Sequence, residues 1–390
     1  MTTESKTLSN SQWTWAVVVL LLGITLRMLL PFRGYNYDIE SWKIAADIMA
    51  HGGNVYGETG RYNYGPIWFY ILHGLNQYIG SGFGELIAFR WKVAAFLTGV
   101  DVAIFLLLLR IYGVGVASLF FLNPISIIIT GYHSQLDGLA VLLGLLAAWV
   151  LQRYQTRAGW WCGLGILGLS LSTKHILFFF PIWVALKQEH WRNKLLAVLV
   201  PYGIFLVLFV PFWHGGSEGI TNNVFLYRSF NNAPFWHVFT PQFLYTVVPP
   251  VILFFMTLFF LGLYWRTKAV LESMNLYLIA VVVFSSAVAN QYLTIATPAI
   301  ATQWNWGYGA FTAFTTLYLL VDWAGLHLGL LQRTLHWQGQ YGYFIAITFL
   351  FFGLLIHTLG KEHLSRVQKL FRDSLAWLKQ EIAKQLKAPW

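Results

Sequence analysis

The sequence predicts an all-α protein, a polytopic transmembrane helical bundle of about 11–13 spans with a polar first extracytoplasmic loop and an amphipathic C-terminal helix. Three observations support this. Of 390 residues, 57% are hydrophobic and only 10% charged, where a soluble globular chain carries about a quarter charged residues, so water is not the main solvent. Mean hydropathy is +0.58, and the apolar residues fall in blocks approaching the ~20 residues that carry a helix across a bilayer. No segments of alternating ~10-residue period appear, which excludes a barrel.

In chain order the blocks lie near 13–31, 84–110, 112–131, 136–152, 158–173, 175–187, 195–213, 247–265, 272–290, 291–306, 308–325 and 342–359. The first lacks a small-residue cleavage pattern after it and is expected to be retained as a helix. Blocks 175–187 and 291–306 are short, so they must be tilted, broken or packed inside the bundle. The stretch 65–80 is also short, starts at Pro66 and contains His73, Asn76 and Gln77, which suggests a re-entrant segment. Two units are expected, a membrane domain over 1–360 and a basic tail over 361–390.

The single cysteine, Cys162, excludes an internal disulfide framework and a cysteine-based metal site. A net charge of +10 in so apolar a chain marks cytoplasmic loops and anionic headgroups, and no basic soluble module points to nucleic acid. The positive-inside rule places Arg110, Arg153, Arg157, Lys187, Arg192, Lys194, Arg266, Lys268 and the tail in the cytoplasm, provided that the N-terminus is inside and 65–80 does not cross. The other face then collects the 32–65 loop, the Gly131–Asp137 turn, Lys174 and His175, the 214–240 loop and the Asn290–Gln291 turn, which are rich in His, Asp, Asn, Gln and Tyr.

Within the 32–65 loop, Asp38 and Glu40 stand at the start of a stretch whose apolar residues Ile39, Trp42, Ala46 and Met49 recur at helical spacing. Asp38 can cap that helix through its side-chain oxygen. Equally, it can take a proton from an attacking hydroxyl, the usual work of a carboxylate in glycosyl chemistry. His133 and Asp137 are four apart and share a face if a helix has begun by His133; two ligands without a third are a weak metal site, and none is expected. Lys174, between two apolar blocks, either snorkels to the headgroups or meets an anion. Asp101, deep in a span beyond Arg90 and Lys92, is expected to be structurally paired. The many Trp and Tyr residues, including Tyr35, Tyr62 and Tyr64, fit an interfacial belt.

These markers follow a familiar order. Asp38-x-Glu40 is followed by Arg61-Tyr-Asn-Tyr64-Gly-Pro66, then Phe89-Arg90 and Asp101, then Asn123-Pro124 leading to His133-Ser-Gln135-Leu-Asp137-Gly138. Ser172-Thr-Lys174 and Asn290-Gln291-Tyr292 complete the set. Over about residues 10–300 the chain resembles the GT-C superfamily of membrane glycosyltransferases, in particular glucosyl- and mannosyltransferases that use dolichyl- or polyprenyl-phosphate sugars. The run after Gln135 departs from the commonest form of that family's His-x-Gln motif, which leaves the sugar and acceptor open. The resemblance implies hexose transfer from a polyprenyl-phosphate-linked donor to a lipid-linked or glycan acceptor, with inversion. It makes Asp38 the base, with Glu40 beside it. Arg61, Tyr64, His133, Gln135, Asp137, Lys174, His175, Arg228, Gln291 and Tyr292 would bind substrate, among which Lys174, Arg228 and Arg61 supply cations for a leaving phosphate. No cofactor is implied. The membrane would be the plasma membrane in a bacterium or the endoplasmic reticulum in a eukaryote. The competing classes are a multi-pass transporter or lipid-sugar flippase, which the short blocks allow although no repeat is evident, and a non-catalytic assembly subunit.

Beyond the last block, Leu364, Val367, Phe371, Leu375, Leu378, Ile382 and Leu386 recur three or four apart, while Lys361, Arg366, Lys369, Arg372, Lys379, Lys384 and Lys387 occupy other faces. Each cation contributes on the order of 1 kcal/mol near an anionic surface. Such a helix is expected to lie along the cytoplasmic headgroups and stay out of the site, the alternative being a soluble helix packed on a cytoplasmic loop or on a partner. Deleting 365–390 is therefore expected to leave activity in detergent within a few-fold of normal and to lower stability or activity in anionic bilayers. Loss of all detergent activity in a folded truncation would place the tail in the catalytic machinery.

Overall fold

In hydrocarbon a peptide group finds no water, so its hydrogen bonds must close within the segment. The computed structural model describes residues 9–77, 84–227, 232–241, 247–322, 325–331 and 341–360, and every regular element among them is helical. Arg228 and the 361–390 tail lie outside these residues.

Helix α1 (Asn10–Leu29) begins at a capping box in which Ser9 accepts from the Gln12 backbone and Gln12 reaches back. With the 3-10 turn Leu30–Arg33 it forms a 24-residue apolar helix. The loop that follows is largely ordered into α2 (Asp38–Ala50), α3 (Val55–Glu58) and α4 (Pro66–Asn76). Helix α2 buries Ile39, Trp42, Ala45 and Ala46 against α4, where Trp42 meets Trp68 edge-on with ring centroids 5.1 Å apart. The expected amphipathic face is thus spent on protein contact. At 11 residues, α4 is roughly 16 Å long, well short of a bilayer core.

Helix α5 (Glu85–Tyr112) is a continuous apolar span of 28 residues. Lys43 bridges it to α2 by pairing with both Asp47 and Glu85. Helices α6 (Val114–Phe121) and α7 (Pro124–Ile128) bend by 47° where Pro124 cannot donate to the helix ladder and Asn123 caps the Ile125 amide instead (3.0 Å). A π-helical turn, Ile129–His133, prolongs α7. Helices α8 (Asp137–Arg153) and α9 (Arg157–Thr173) form an antiparallel hairpin, with Asp137 and Lys174 at one end and the 153–157 turn roughly 25 Å away at the other.

The chain then bends by 118° at Lys174 into His175–Leu186, where α10 (Phe180–Leu186) ends. Helices α11 (Trp191–Val207) and α12 (Val210–Gly219), with its π-helical extension Ile220–Phe225, bend by 76°. The shorter helices α13 (Pro234–Phe239), α14 (Pro250–Tyr264), α15 (Val270–Val283) and α16 (Thr297–Thr302) precede α17 (Trp306–Val321) and a last apolar span, α18 (Tyr341–Gly360). Among the described residues, three helices are long and apolar enough to cross a membrane, or up to six when each bent pair counts as one span. The 175–187 and 291–306 blocks are broken, the second into a 3-10 turn, Asn290–Thr294, and α16.

The segments expected on the basic side also meet. Lys187 donates to the carbonyls of Trp265, Arg266 and Lys268, and a cavity of about 410 Å³ there is lined by residues from 151–157, by Gln188 and Asn193, and by Val270.

Inside the bundle, Arg27 of α1 is fully buried and pairs with Asp101 of α5 at 2.8 Å. The Asp101 carboxylate also accepts from Ser126 (3.1 Å) and Thr130 (2.8 Å). Arg27 donates further to Ser126 and to the Phe121 carbonyl, and it stacks on the Phe121 ring. This supplies the partner that Asp101 required. Removing one member of such a pair strands the other charge and costs roughly 3–5 kcal/mol, more than deleting both. Arg27→Met or Asp101→Leu alone is expected to lower the melting temperature strongly, with the double variant recovering much of the loss; strictly additive losses would contradict the pairing.

Candidate active site

Two elements at the ends of spans and one folded loop build the site. The first is the π-helical turn before α8. Its backbone passes so close to α1 that Gly131 leaves no room for a Cβ against the Arg27 carbonyl. Ser134 follows in the left-handed region (φ 53°, ψ 41°), uncommon for a residue with a side chain. This reversal separates His133 from α8, which begins at Asp137. The helix has not begun by His133, the condition under which the two would share a face, and His133 and Asp137 find different partners.

Those partners come from elsewhere in the chain. Asn36 Nδ2 lies 3.0 Å from His133 Nδ1, and Gln135 Nε2 donates to Asp38 Oδ2 at 2.6 Å. Asp38 opens α2 without capping it, since Tyr37 holds the cap position and no side-chain cap bond forms. The capping role expected as one alternative is thus not what the Asp38 carboxylate does. The second element is the bend after α9, where Lys174 pairs with Asp137 at 2.7 Å. Lys174 is buried, neither snorkelling nor alone, and its ammonium lies 5.3 Å from the ring centres of both Tyr64 and Tyr292.

The loop carrying Tyr64 is clamped in place. Gly65 donates to the Thr173 carbonyl (3.3 Å), and a Cβ at Gly65 would overlap the Ser172 carbonyl oxygen. Tyr56 donates to the Tyr64 carbonyl and Tyr62 to that of Gly65, while Asn54 donates to the carbonyls of Phe212 and His214. Tyr56, Tyr62 and Tyr64 are buried members of the core, so the aromatic belt does not explain them. Burial, and then the charges of Asp38 and Asp137, hold the Tyr64 phenol well above the ordinary tyrosine pKa, leaving it protonated and able to donate.

Several buried polar atoms have no hydrogen-bond partner here: His133 Nε2, Ser134 Oγ, Gln135 Oε1 and Asp137 Oδ1. Buried polar atoms are costly when unpaired, and these four fall in one short run. Alongside, a cavity of about 730 Å³ runs from Lys174, His175 and Tyr292 between walls that include Phe178, Phe205, Phe254 and Leu258. Its lining is mostly aromatic and aliphatic, with Lys174 as its one lysine or arginine among the described residues.

Arg61 is placed differently from Lys174. It stacks on Tyr37 (4.0 Å), donates to Ser41 and lies 3.7 Å from Glu40, so Glu40 is engaged with Arg61 and with Tyr35 (3.4 Å). Gln291 sits half-buried in the 3-10 turn beside Tyr292. The sequence reading missed Asn36 and Ser134. Asn36 could have been noticed as an amide two residues before Asp38, but the conformation of Ser134 has no sequence signal. Among the described residues, no group of three His, Cys, Asp or Glu side chains is placed to hold a metal ion.

No protein-family model and no curated protein sequence matches the chain. Among solved structures, it is similar to ArnT from Cupriavidus metallidurans in the apo state, with a TM-score of 0.49 and 15% identity over 88% of this chain and 76% of that one. The same protein bound to undecaprenyl phosphate gives a TM-score of 0.47 and 14% identity, covering 92% and 79% of the two chains.

The left-handed Ser134 yields a stability test. Because its hydroxyl has no partner, Ser134→Gly removes steric strain and loses no bond; it is expected to hold or raise stability, by up to about 1 kcal/mol, while Ser134→Val lowers it. Thermal denaturation of the two variants checks this, and a less stable glycine variant would mean that the hydroxyl is engaged.

Proposed function

We propose that this chain is a multi-pass GT-C-type glycosyltransferase that moves a hexose, mannose or glucose, from a polyprenyl-phosphate sugar to an acceptor hydroxyl with inversion. One observation carries the reading: a half-buried carboxylate, Asp38, is held by Gln135, and two residues after Gln135 Asp137 pairs with a buried cation, Lys174, that lines a largely apolar cavity. A lipid-phosphate sugar has the matching parts. Its tail fits the aromatic and aliphatic walls, its phosphate meets Lys174, and its sugar faces the polar atoms of the His133–Asp137 run.

In the reaction, the acceptor oxygen attacks the anomeric carbon as the bond from that carbon to the phosphate oxygen breaks. Asp38 takes the hydroxyl proton on the oxygen not engaged by Gln135, and the lipid phosphate departs with the bonding electrons. Lys174 spends one N–H on Asp137 and keeps two for the phosphate, so the pairing neutralises the resting site without consuming its donors. Protonated Tyr64 adds a phenol beside the same ammonium. The face holding these groups is assigned as extracytoplasmic, opposite the Lys187 and Arg266 cluster. Arg228 is retained as a further phosphate ligand, and Glu40 serves to place Arg61.

Purified protein offered polyprenyl-phosphate glucose and mannose with a membrane-lipid acceptor extract is expected to yield a product heavier by one hexose. Asp38→Asn is expected to lower its formation by about 10²–10⁴-fold with donor binding retained, and Glu40→Gln to cost much less. Lys174→Met should weaken donor binding by roughly tenfold or more. Near-normal turnover of Asp38→Asn would overturn the assignment of the base, and substrate translocation without a hexose-bearing product would favour a transporter.

A further inference from the structure

Arg27, Arg90 and Lys174 are the buried cations among the described residues. Arg27 has Asp101 and Lys174 has Asp137, but among the described residues no carboxylate comes within ion-pair distance of Arg90. Only 7% of Arg90 is exposed, its Nε has no hydrogen-bond partner, and its contact is the face of Tyr35 at 5.4 Å. A buried guanidinium without an anion is costly, and proteins otherwise pair it or use it. Lys92, two residues on, is spent on the Gln77 carbonyl, so it does not share the task.

The position of Arg90 gives it a use. Tyr35 also donates to Glu40, and the next residue, Asn36, contacts His133. Tyr132 lies within electrostatic reach of Arg90 and packs against Gly34. Arg90 thus borders the segment that carries Asp38 on a flank different from that of Lys174, whose neighbours are Tyr64, Asp137 and Tyr292. It is not among the walls of the 730 Å³ cavity. Its own flank opens to the exterior, since Tyr35 and Tyr37 are 37% and 62% exposed. A donor phosphate held at Lys174 leaves this second cation for another anion.

We propose that Arg90, framed by Tyr35 and Tyr132, binds an anionic group of the acceptor, a phosphate or carboxylate, so that the acceptor is an acidic lipid or phosphate-bearing glycan. The inference rests on the transferase reading above and adds the acceptor's chemical class to it. A planar guanidinium suits such a group because it can make two parallel hydrogen bonds to it.

The test uses the full chain in detergent with two probes: farnesyl phosphate, a soluble stand-in for the donor, and inorganic phosphate. In protein saturated with farnesyl phosphate, inorganic phosphate is expected still to bind, and Arg90→Gln should weaken that binding by roughly tenfold or more. Lys174→Met should do the reverse, weakening farnesyl phosphate and sparing inorganic phosphate. Removing an uncompensated buried charge should leave ligand-free Arg90→Gln and Arg90→Met at least as heat-stable as the parent, but no longer stabilised by phosphate.

Competition between the two probes, with equal effects of both substitutions on farnesyl phosphate, would assign Arg90 to the donor and overturn the proposal. So would unchanged phosphate binding in Arg90→Gln, which would leave the parent's anion elsewhere. Loss of fold in both neutral Arg90 variants would make the guanidinium a structural element and would equally overturn it. Failure of farnesyl phosphate to bind the parent at all counts against the donor reading, whereas the phosphate arm, read in the absence of farnesyl phosphate, decides Arg90 separately.

Discussion

Polar side chains inside an apolar bundle must find partners within the chain, and the Asp101 carboxylate shows how much follows from that constraint. It gathers Arg27 from α1, Ser126 from α7 and Thr130 from the π-helical turn. Since Thr130 and Gly131 belong to the turn that ends at His133, the ion pair fixes the level at which His133, Ser134 and Gln135 emerge. The backbone contact of Gly131 with α1 closes the same joint. An ionic interaction far down the chain from Asp38 therefore sets where the partner of Asp38 stands.

A second fixture acts from the other side. The loop from Asn54 to Pro66 is held by hydrogen bonds to α9 and to the α12 backbone, and its tyrosines are buried. A segment of this kind behaves as part of the scaffold, since hydrogen bonds tie it to two helices and its rings fill the core. It brings Tyr64 against Lys174 at the bend after α9. The 118° bend is what turns Lys174 inward and opens the apolar cavity beside it, since a straight continuation would have filled that volume with helix.

The site that results is uneven in charge. Two buried cations are neutralised by acids, Glu40 holds Arg61 near the surface, and Arg90 has no anion among the described residues. Four buried polar atoms in the His133–Asp137 run also lack partners. Protein interiors rarely leave so many such groups together without a ligand to complete them. Lys174 joins the two regions, pairing with Asp137 of the polar run and lining the apolar cavity, an arrangement that suits a molecule polar at one end and hydrocarbon at the other.

The sequence by itself determined that the chain is helical and membrane-embedded, because hydropathy and the lack of an alternating period are local properties of 20-residue windows. It also marked Asp38, His133, Gln135, Asp137 and Lys174, because polar residues at the ends of apolar blocks stand out against so uncharged a background. It did not show that blocks 175–187 and 291–306 are broken into short helices and turns, that α2 packs on α4, or that His133 and Asp137 part company. The tertiary structure alone decided that Gln135 meets Asp38 across 97 residues, that Lys174 meets Asp137 across 37, and that Arg90 meets no acid among the described residues. The physical reason is range. Helix formation and membrane partition depend on neighbours a few residues away, whereas the fate of a buried charge depends on which distant groups the packing of the bundle brings within about 3 Å of it.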